Sequence, residues 1–279
     1  VAQTKHEIEA ILAEAGMHPR HRFGQNFMID GNLVRLVAGA GNVGPGDWVL
    51  EVGPGTGTLT DELLARGARV LAMEIDRDLA AILTRRYAGQ TRIEIVEADA
   101  LVRKHEINPR LQAAIDEARA AGAASKLVAN LPYNIASPLV IDLLIAGVDV
   151  LAFTVQKEVA RRLVAAHDSE DYGPLSVMAQ LLSRVEIVRT LPPQAFWPAP
   201  KIDSALVRMT RADRTAGHAP ALGKFVQAIF SSRRKTLRNA LKNAGFDPDP
   251  SLAAASLDGT ARPESLSPEK WLELFKVAV

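Results

Sequence analysis

Up to about residue 190 the chain alternates short apolar segments with helix-patterned ones, and this alternation restricts the fold to an α/β architecture. Trp48–Val52, Arg69–Ile75, Arg92–Glu97, Lys126–Leu131 and Val150–Gln156 read as strands rich in Val, Ile and Leu. Helical patterns such as Thr58–Arg66, Arg77–Tyr87 and Pro138–Ile145 follow them. Strands this uniformly apolar are covered on both faces, as in a parallel sheet with crossover helices. Val185–Thr190 and Ser204–Thr210 flank the loop LPPQAFWPAPKID, which is too short for a crossover helix. Those two are expected to pair antiparallel at one sheet edge. After Arg211 the segment ADRTAGHAP reads as a linker, and Leu222–Phe230, Lys235–Asn243 and Pro268–Val277 carry helical patterns. The expectation is a doubly wound α/β domain over 1–211, with an N-terminal helical extension, followed by a small all-helical domain over 212–279.

Composition narrows the function classes. Hydrophobic residues make up 48% and charged residues 23%, the balance of a globular chain with a sizeable core. No apolar run approaches the roughly 18–20 residues of a membrane span. Cysteine is absent, which excludes disulfides and thiolate metal sites, and the six histidines show no metal-ligand spacing. The opening stretch VAQTKHEIEAILAEAG is acidic and amphipathic, unlike a signal or transit peptide, so a cytoplasmic location is expected. Net charge is only +1, yet between Ala219 and Phe246 there are Lys224, Arg233, Arg234, Lys235, Arg238 and Lys242 with no acid. Arg234, Arg238 and Lys242 follow at four-residue spacing and are expected on one helical face, with Leu237 and Leu241 toward the core. Such a face suits phosphate, although a solvated surface has the same pattern. A second basic cluster, Lys5, Arg20 and Arg22 with His18 and His21, lies near the start, where the histidines read as phosphate-proximal or solvated.

Three polar features fall at consecutive strand ends. VLEVGPGTGTLTDEL runs from a strand through Gly53, Gly55 and Gly57 into a helix, a turn where the backbone can lie against a ligand. It lacks the glycine at position 58 that a dinucleotide fingerprint needs, and it lacks a P-loop ending. AMEID places Glu74 at the end of the second strand, where a carboxylate can accept from both ribose hydroxyls. EADAL places Asp99 at the end of the third, in reach of an adenine amino group. Ligands of open α/β sheets bind at such strand ends, so the three features mark one cleft.

The fourth strand ends in VANLPYNIASPL. N-L-P-Y resembles the Asn-Pro-Pro-Tyr-type motif of amino-methyltransferases. The lone pair of an exocyclic adenine nitrogen is delocalised into the ring. The Asn130 oxygen and a backbone carbonyl at Leu131 or Pro132 could bond the amino hydrogens and free that pair for a sulfonium methyl. Pro132 would stiffen the turn, and Tyr133 offers a stacking face worth roughly 1–3 kcal/mol.

HRFGQNFMID, VLEVGPGTGTLT, EIDRDL, EADAL, NLPYNIASPL, VQKEVARRL, AFWPAPKIDSA and FSSRRKTLRNAL occur in that order. In these motifs the chain is similar to the KsgA (RsmA) family of ribosomal RNA adenine dimethyltransferases. The resemblance implies a Rossmann-like class I methyltransferase fold and S-adenosylmethionine as cofactor. It implies dimethylation of N6 on two adjacent adenines near the 3′ end of small-subunit (16S) ribosomal RNA, with a role in subunit maturation. The implied partner is the precursor small subunit; a monomer without metal or membrane association is expected.

By motif position, Gln25, Asn26 and the Met28 backbone would touch the methionine part, with Gly53 and Gly55 beneath it. Glu74 with Ile75 would hold the ribose, Asp99 with Ala100 the adenine, and Asn130 both cofactor and target amine. Phe196 would flank the flipped base opposite Tyr133, while Trp197 is read as core or base contact. Arg22, Arg233, Arg234, Lys235, Arg238 and Lys242 would contact RNA phosphates. Met28 stands where the family more usually has Leu, a volume-conserving change. An Erm-type enzyme of large-subunit RNA shares the cofactor and N-L-P-Y features. A non-catalytic RNA-binding relative would not need Asn130, Tyr133, Glu74 and Asp99 intact, and a nicotinamide oxidoreductase leaves N-L-P-Y unexplained.

Overall fold

The computed structural model describes residues 3–20 and 24–279. By contacts the chain divides into two units, Val1–Ala160 with Glu186–Arg211, and Arg161–Val185 with Ala212–Val279. The second unit therefore differs from the expected 212–279 domain. It recruits Arg161–Val185 from the middle of the sequence, a grouping that depends on tertiary contacts and has no local signal.

The first unit holds a seven-stranded sheet. Its strands, numbered along the chain, are β1 (Trp48–Val52), β2 (Arg69–Glu74), β3 (Ile93–Glu97), β4 (Ser125–Asn130), β5 (Val150–Gln156), β6 (Ser183–Leu191) and β7 (Ser204–Arg211). The spatial order is β3-β2-β1-β4-β5-β7-β6. The pairs from β3 to β5 are parallel. β7 runs antiparallel to β5, from Ser204 opposite Gln156 to Thr210 opposite Val150. The expected edge pair thus exists as neighbours, but β7 inserts beside β5 and leaves β6 outermost and largely exposed. The order reverses at β1, with β2 on one side and β4 on the other, which opens a crevice at the strand ends.

Four helices make the crossovers: α3 (Thr58–Ala65), α4 (Arg77–Arg86), α5 (Pro109–Ala120) and α6 (Ala136–Ala146). They are preceded by α1 (Lys5–Glu14) and α2 (Gly31–Ala40). Local chemistry sets their starts. Thr4 and Glu7 form a capping box on α1, Asp30 accepts from Asn32 N at 2.8 Å on α2, and Asp76 accepts from Asp78 N at 3.1 Å on α4. Ile8 and Leu12 of α1 are buried against Phe27, Leu79 and Ile82, so the N-terminal helix is packed onto α4. A hairpin, Leu101–Arg103 with Glu106–Ile107, precedes α5.

The second unit is helical: α8 (Pro174–Leu182), α9 (Ala219–Phe230), α10 (Leu237–Asn243), α11 (Pro248–Ala254) and α12 (Pro268–Ala278), with α7 (Lys157–Val164) leading into it. Trp271, fully buried, stacks on Phe230 at 5.2 Å between centroids and meets Phe225 edge-on at 6.4 Å. Tyr172 from the recruited segment donates to the Leu266 carbonyl at 2.7 Å, which ties that segment to the C-terminal helices. Among the described residues no helix is long and apolar enough to cross a membrane. Trp271→Ala should destabilise this unit by about 3–5 kcal/mol, the scale of a truncated buried tryptophan. Urea denaturation followed by circular dichroism checks it.

Candidate active site

The crevice at the strand ends is a cleft with about 960 Å3 of empty space, its open mouth included. All ten residues singled out for a cofactor line it: Gln25, Asn26, Met28, Gly53, Gly55, Glu74, Ile75, Asp99, Ala100 and Asn130. The topology explains the convergence, because β1, β2, β3 and β4 deliver one feature each at their C-terminal ends.

The glycines answer to specific neighbours. Gly55 has φ +62°, and a Cβ there would come within 2.9 Å of the Phe27 ring. Gly53, at φ +71°, packs its open side toward Pro132 of the N-L-P-Y turn, 3.4 Å from a would-be Cβ. The glycine-rich loop and the N-L-P-Y turn therefore lie side by side on the cleft wall. Gln3 clasps the same loop from the far side. Its Nε2 donates to the Thr56 carbonyl at 3.0 Å, and its Oε1 accepts from the Thr56 and Thr58 hydroxyls at 2.6 and 2.9 Å.

Glu74 is 4% exposed. One oxygen accepts from Gly55 N at 3.2 Å and the other from Asp76 N at 2.9 Å. Burial pushes its pKa up to about 7, with those backbone donors pulling the other way. Glu51, also on the cleft wall, is 1% exposed and accepts from the Thr60 hydroxyl at 2.6 Å. Burial raises it to about 8. Asp99 is exposed, its Oδ1 accepting from Leu101 N at 3.0 Å. Gln25 lines the cleft but has both ends of its amide engaged, from Arg20 N at 2.7 Å and to Asp76 at 2.9 Å.

The acceptor turn is held from two sides. Asn130 Nδ2 donates to the Asn26 carbonyl at 2.6 Å, and Asn130 Oδ1 accepts from the Thr154 hydroxyl. Tyr133 Oη bonds the buried Ser204 hydroxyl at 2.7 Å, and burial raises the phenol pKa. Asn130 and Pro132 line the cleft, whereas Leu131 is a buried residue behind it and Tyr133 is half-buried beside it.

Phe196 departs from expectation. It is 2% exposed and sits in the main hydrophobic core with Met28, Val34 and Leu206, and it is not among the residues that line the cleft. The cause is a two-residue antiparallel ladder, Met28 opposite Phe196 and Phe27 opposite Trp197, that turns the Phe196 ring inward. Trp197 stacks on Phe27 at 6.3 Å and packs on the cluster around α1, in keeping with the core reading.

The basic segment also differs. Arg234 and Lys235 lie in a turn, because α10 starts only after Thr236, whose hydroxyl caps Asn239 N at 3.4 Å. The expected single face of Arg234, Arg238 and Lys242 does not form; only Arg238 and Lys242 share the helix. Arg238 pairs with Asp249, and Arg233 donates to the Glu170 carbonyl at 3.0 Å. Arg234, Lys235 and Lys242 are exposed. Arg22 and His21 lie outside the described residues. Among the described residues no three His, Cys, Asp or Glu are grouped to hold a metal.

Sequence reasoning missed Gln3, Glu51, Asp76, Thr154 and Ser204. Glu51 alone had a visible signal, a carboxylate inside the otherwise apolar strand WVLEV.

The chain's matches now decide its family. A family model described as ribosomal RNA adenine dimethylase matches residues 16–279. The chain belongs to that family. It is 38% identical to ribosomal RNA small subunit methyltransferase A of Moorella thermoacetica, across 96% of this chain and 95% of that one. It is 41% identical to the protein of that name in Chromobacterium violaceum, across 92% and 94%. Among solved structures, the 23S rRNA methyltransferase ErmE aligns with a TM-score of 0.62 at 28% identity, covering 91% of this chain and 99% of that one. A dimethyladenosine transferase from Plasmodium falciparum shares the fold with a TM-score of 0.68 at 22% identity, covering 89% and 95%. The chain is accordingly an S-adenosylmethionine-dependent ribosomal RNA adenine dimethyltransferase with a Rossmann-like domain and a helical C-terminal region.

The buried acids give this dimethyltransferase a pH signature. Glu51 and Glu74 have folded pKa values of about 8 and about 7, above their ordinary 4.5. The folded state holds the extra protons in that window, so stability falls as pH rises through it. Thermal midpoints measured from about pH 5 to about pH 8 should decline less steeply in Glu51→Gln than in the wild type. An unchanged slope would mean that Glu51 is not buried in protonated form.

Proposed function

We propose that the chain methylates N6 of two adjacent adenines near the 3′ end of small-subunit ribosomal RNA, twice each, during subunit maturation. The observation that carries this reading is the adjacency of the glycine-rich loop and the N-L-P-Y turn. Gly53 and Pro132 line the same cleft, and a Cβ on Gly53 would meet Pro132 at 3.4 Å, which supports a cofactor wall beside an acceptor turn. The names of the relatives at 38–41% identity supply the subunit.

The residues present suit S-adenosylmethionine. Glu74 keeps lone pairs for ribose hydroxyls beside those that Gly55 and Asp76 occupy, and Ile75 and Ala100 give apolar walls for a base ending at Asp99. Gln25, Asn26, Met28, Gly53 and Gly55 line the part assigned to the methionine portion. The bound cofactor supplies an electrophilic sulfonium methyl.

The acceptor turn does the rest. Asn130 Oδ1 takes one amine hydrogen. The Leu131 carbonyl, next along the chain from Asn130, is the second acceptor in this reading, and the Pro132 carbonyl accepts from Ile135 N at 3.3 Å. Both bonds draw N6 toward tetrahedral geometry and aim its lone pair, an effect of positioning that needs neither strong base nor metal. Tyr133, held by Ser204, is the stacking face for a base that has left its helix. Arg234, Lys235 and Lys242 are the exposed phosphate contacts that set register, with Arg233 and Arg238 partly committed to protein partners and Arg22 adding to the N-terminal cluster.

Labelled methyl should pass from S-adenosylmethionine to unmethylated small subunits and map to two neighbouring dimethyladenosines. Label confined to one adenine of large subunits would replace this reading with the Erm-type one. Glu74→Ala should weaken cofactor binding by about 2 kcal/mol in calorimetry, the scale of a lost charged acceptor.

A further inference from the structure

Thr154 stands on β5 directly opposite Asn130 in the parallel ladder, and it is wholly buried. Its hydroxyl donates to Asn130 Oδ1, while the Asn26 carbonyl accepts from Asn130 Nδ2 at 2.6 Å. The carboxamide is therefore fixed at both ends. Flipping it would set oxygen against the Asn26 carbonyl, so Oδ1 is the end kept toward Thr154.

This matters because dimethylation runs through two chemically different amines. Each transfer forms one N6–C bond and breaks one S–C bond. The bonding pair stays on sulfur, and N6 sheds one proton to water. The first amine has two hydrogens for the two acceptors, Asn130 Oδ1 and the Leu131 carbonyl. The monomethylated amine has one. One acceptor then loses its donor once the bound base covers it, which is unfavourable. A carbonyl oxygen has two lone pairs, and Thr154 fills one of those on Asn130 whichever amine is present. The last hydrogen can then go to Leu131 without orphaning Asn130.

We infer that Thr154 is a positioning residue for the second methyl transfer: it keeps Asn130 Oδ1 hydrogen-bonded when the amine no longer can, and so favours the dimethylated product. The inference rests on the reading of N-L-P-Y as the amine acceptor.

Thr154→Val is nearly isosteric and removes the hydroxyl, Thr154→Ser keeps it, and Thr154→Ala guards against a valine that packs badly. Unmethylated small subunits are treated with each protein, and the nucleosides are quantified over time by mass spectrometry. S-adenosylmethionine affinity and thermal midpoint are measured alongside. In the Val variant the second transfer should slow about tenfold relative to the first, so that monomethyladenosine accumulates. Ser should restore the wild-type ratio, and cofactor affinity should hold throughout. A wild-type ratio of mono- to dimethyl product in both Val and Ala overturns the inference, whatever happens to stability. Equal slowing of both transfers overturns it too. If wild-type protein places no methyl on adenine N6, the underlying reading has failed rather than this step alone.

Discussion

The Asn130 carboxamide is the point on which the arrangement depends. One hydrogen bond ties it back to the Asn26 carbonyl of the N-terminal segment, and another ties it across the sheet to Thr154. That places a single polar group of β4 where the order reverses, the one location at which β1's glycine loop and β4's turn can meet. A methyl transfer to a weak nucleophile needs placement more than acid or base strength, and fixing an amide from both ends supplies placement. The side chains around it are held in the same way. Gln3 clamps Thr56 and Thr58, Asp76 anchors Gln25 and Arg20, and Ser204 holds Tyr133.

Burial of carboxyl groups is the main cost of this design. Glu51 and Glu74 sit within a few per cent of full burial at the mouth of an apolar sheet. Among the described residues neither has a basic hydrogen-bond partner; hydroxyl and backbone N–H groups bond them instead. Burial raises the pKa of both acids, which couples stability to pH at the site. Polar groups kept this dry are an expense a protein tolerates where it binds something.

Much of this was legible in the sequence. Trp48–Val52 and Val150–Gln156 have the bounds their apolar runs suggested, and the strand-end acids lie on the cleft that their spacing marked. What stayed hidden depends on contacts that sequence does not order. Gln3 meets Thr56 across 53 positions, and Arg161–Val185 joins helices that begin some way downstream. β7 slips in beside β5 because pairing partner is a tertiary choice. Phe196 turns inward through a ladder of only two residues. The basic run misled for a local reason: four-residue spacing assumes one continuous helix, and Thr236 starts that helix two residues after Arg234.

In the proposed reaction Asn130 accepts a hydrogen of the target amine. Single-turnover methyl transfer to unmethylated small subunits, with Asn130→Ala saturated in S-adenosylmethionine, tests this role. A fall of at least about a hundredfold, roughly 2.7 kcal/mol of barrier, is expected in a variant that calorimetry shows still loaded with cofactor. Turnover at the wild-type rate by that loaded variant would contradict it and move the acceptor site away from the N-L-P-Y turn.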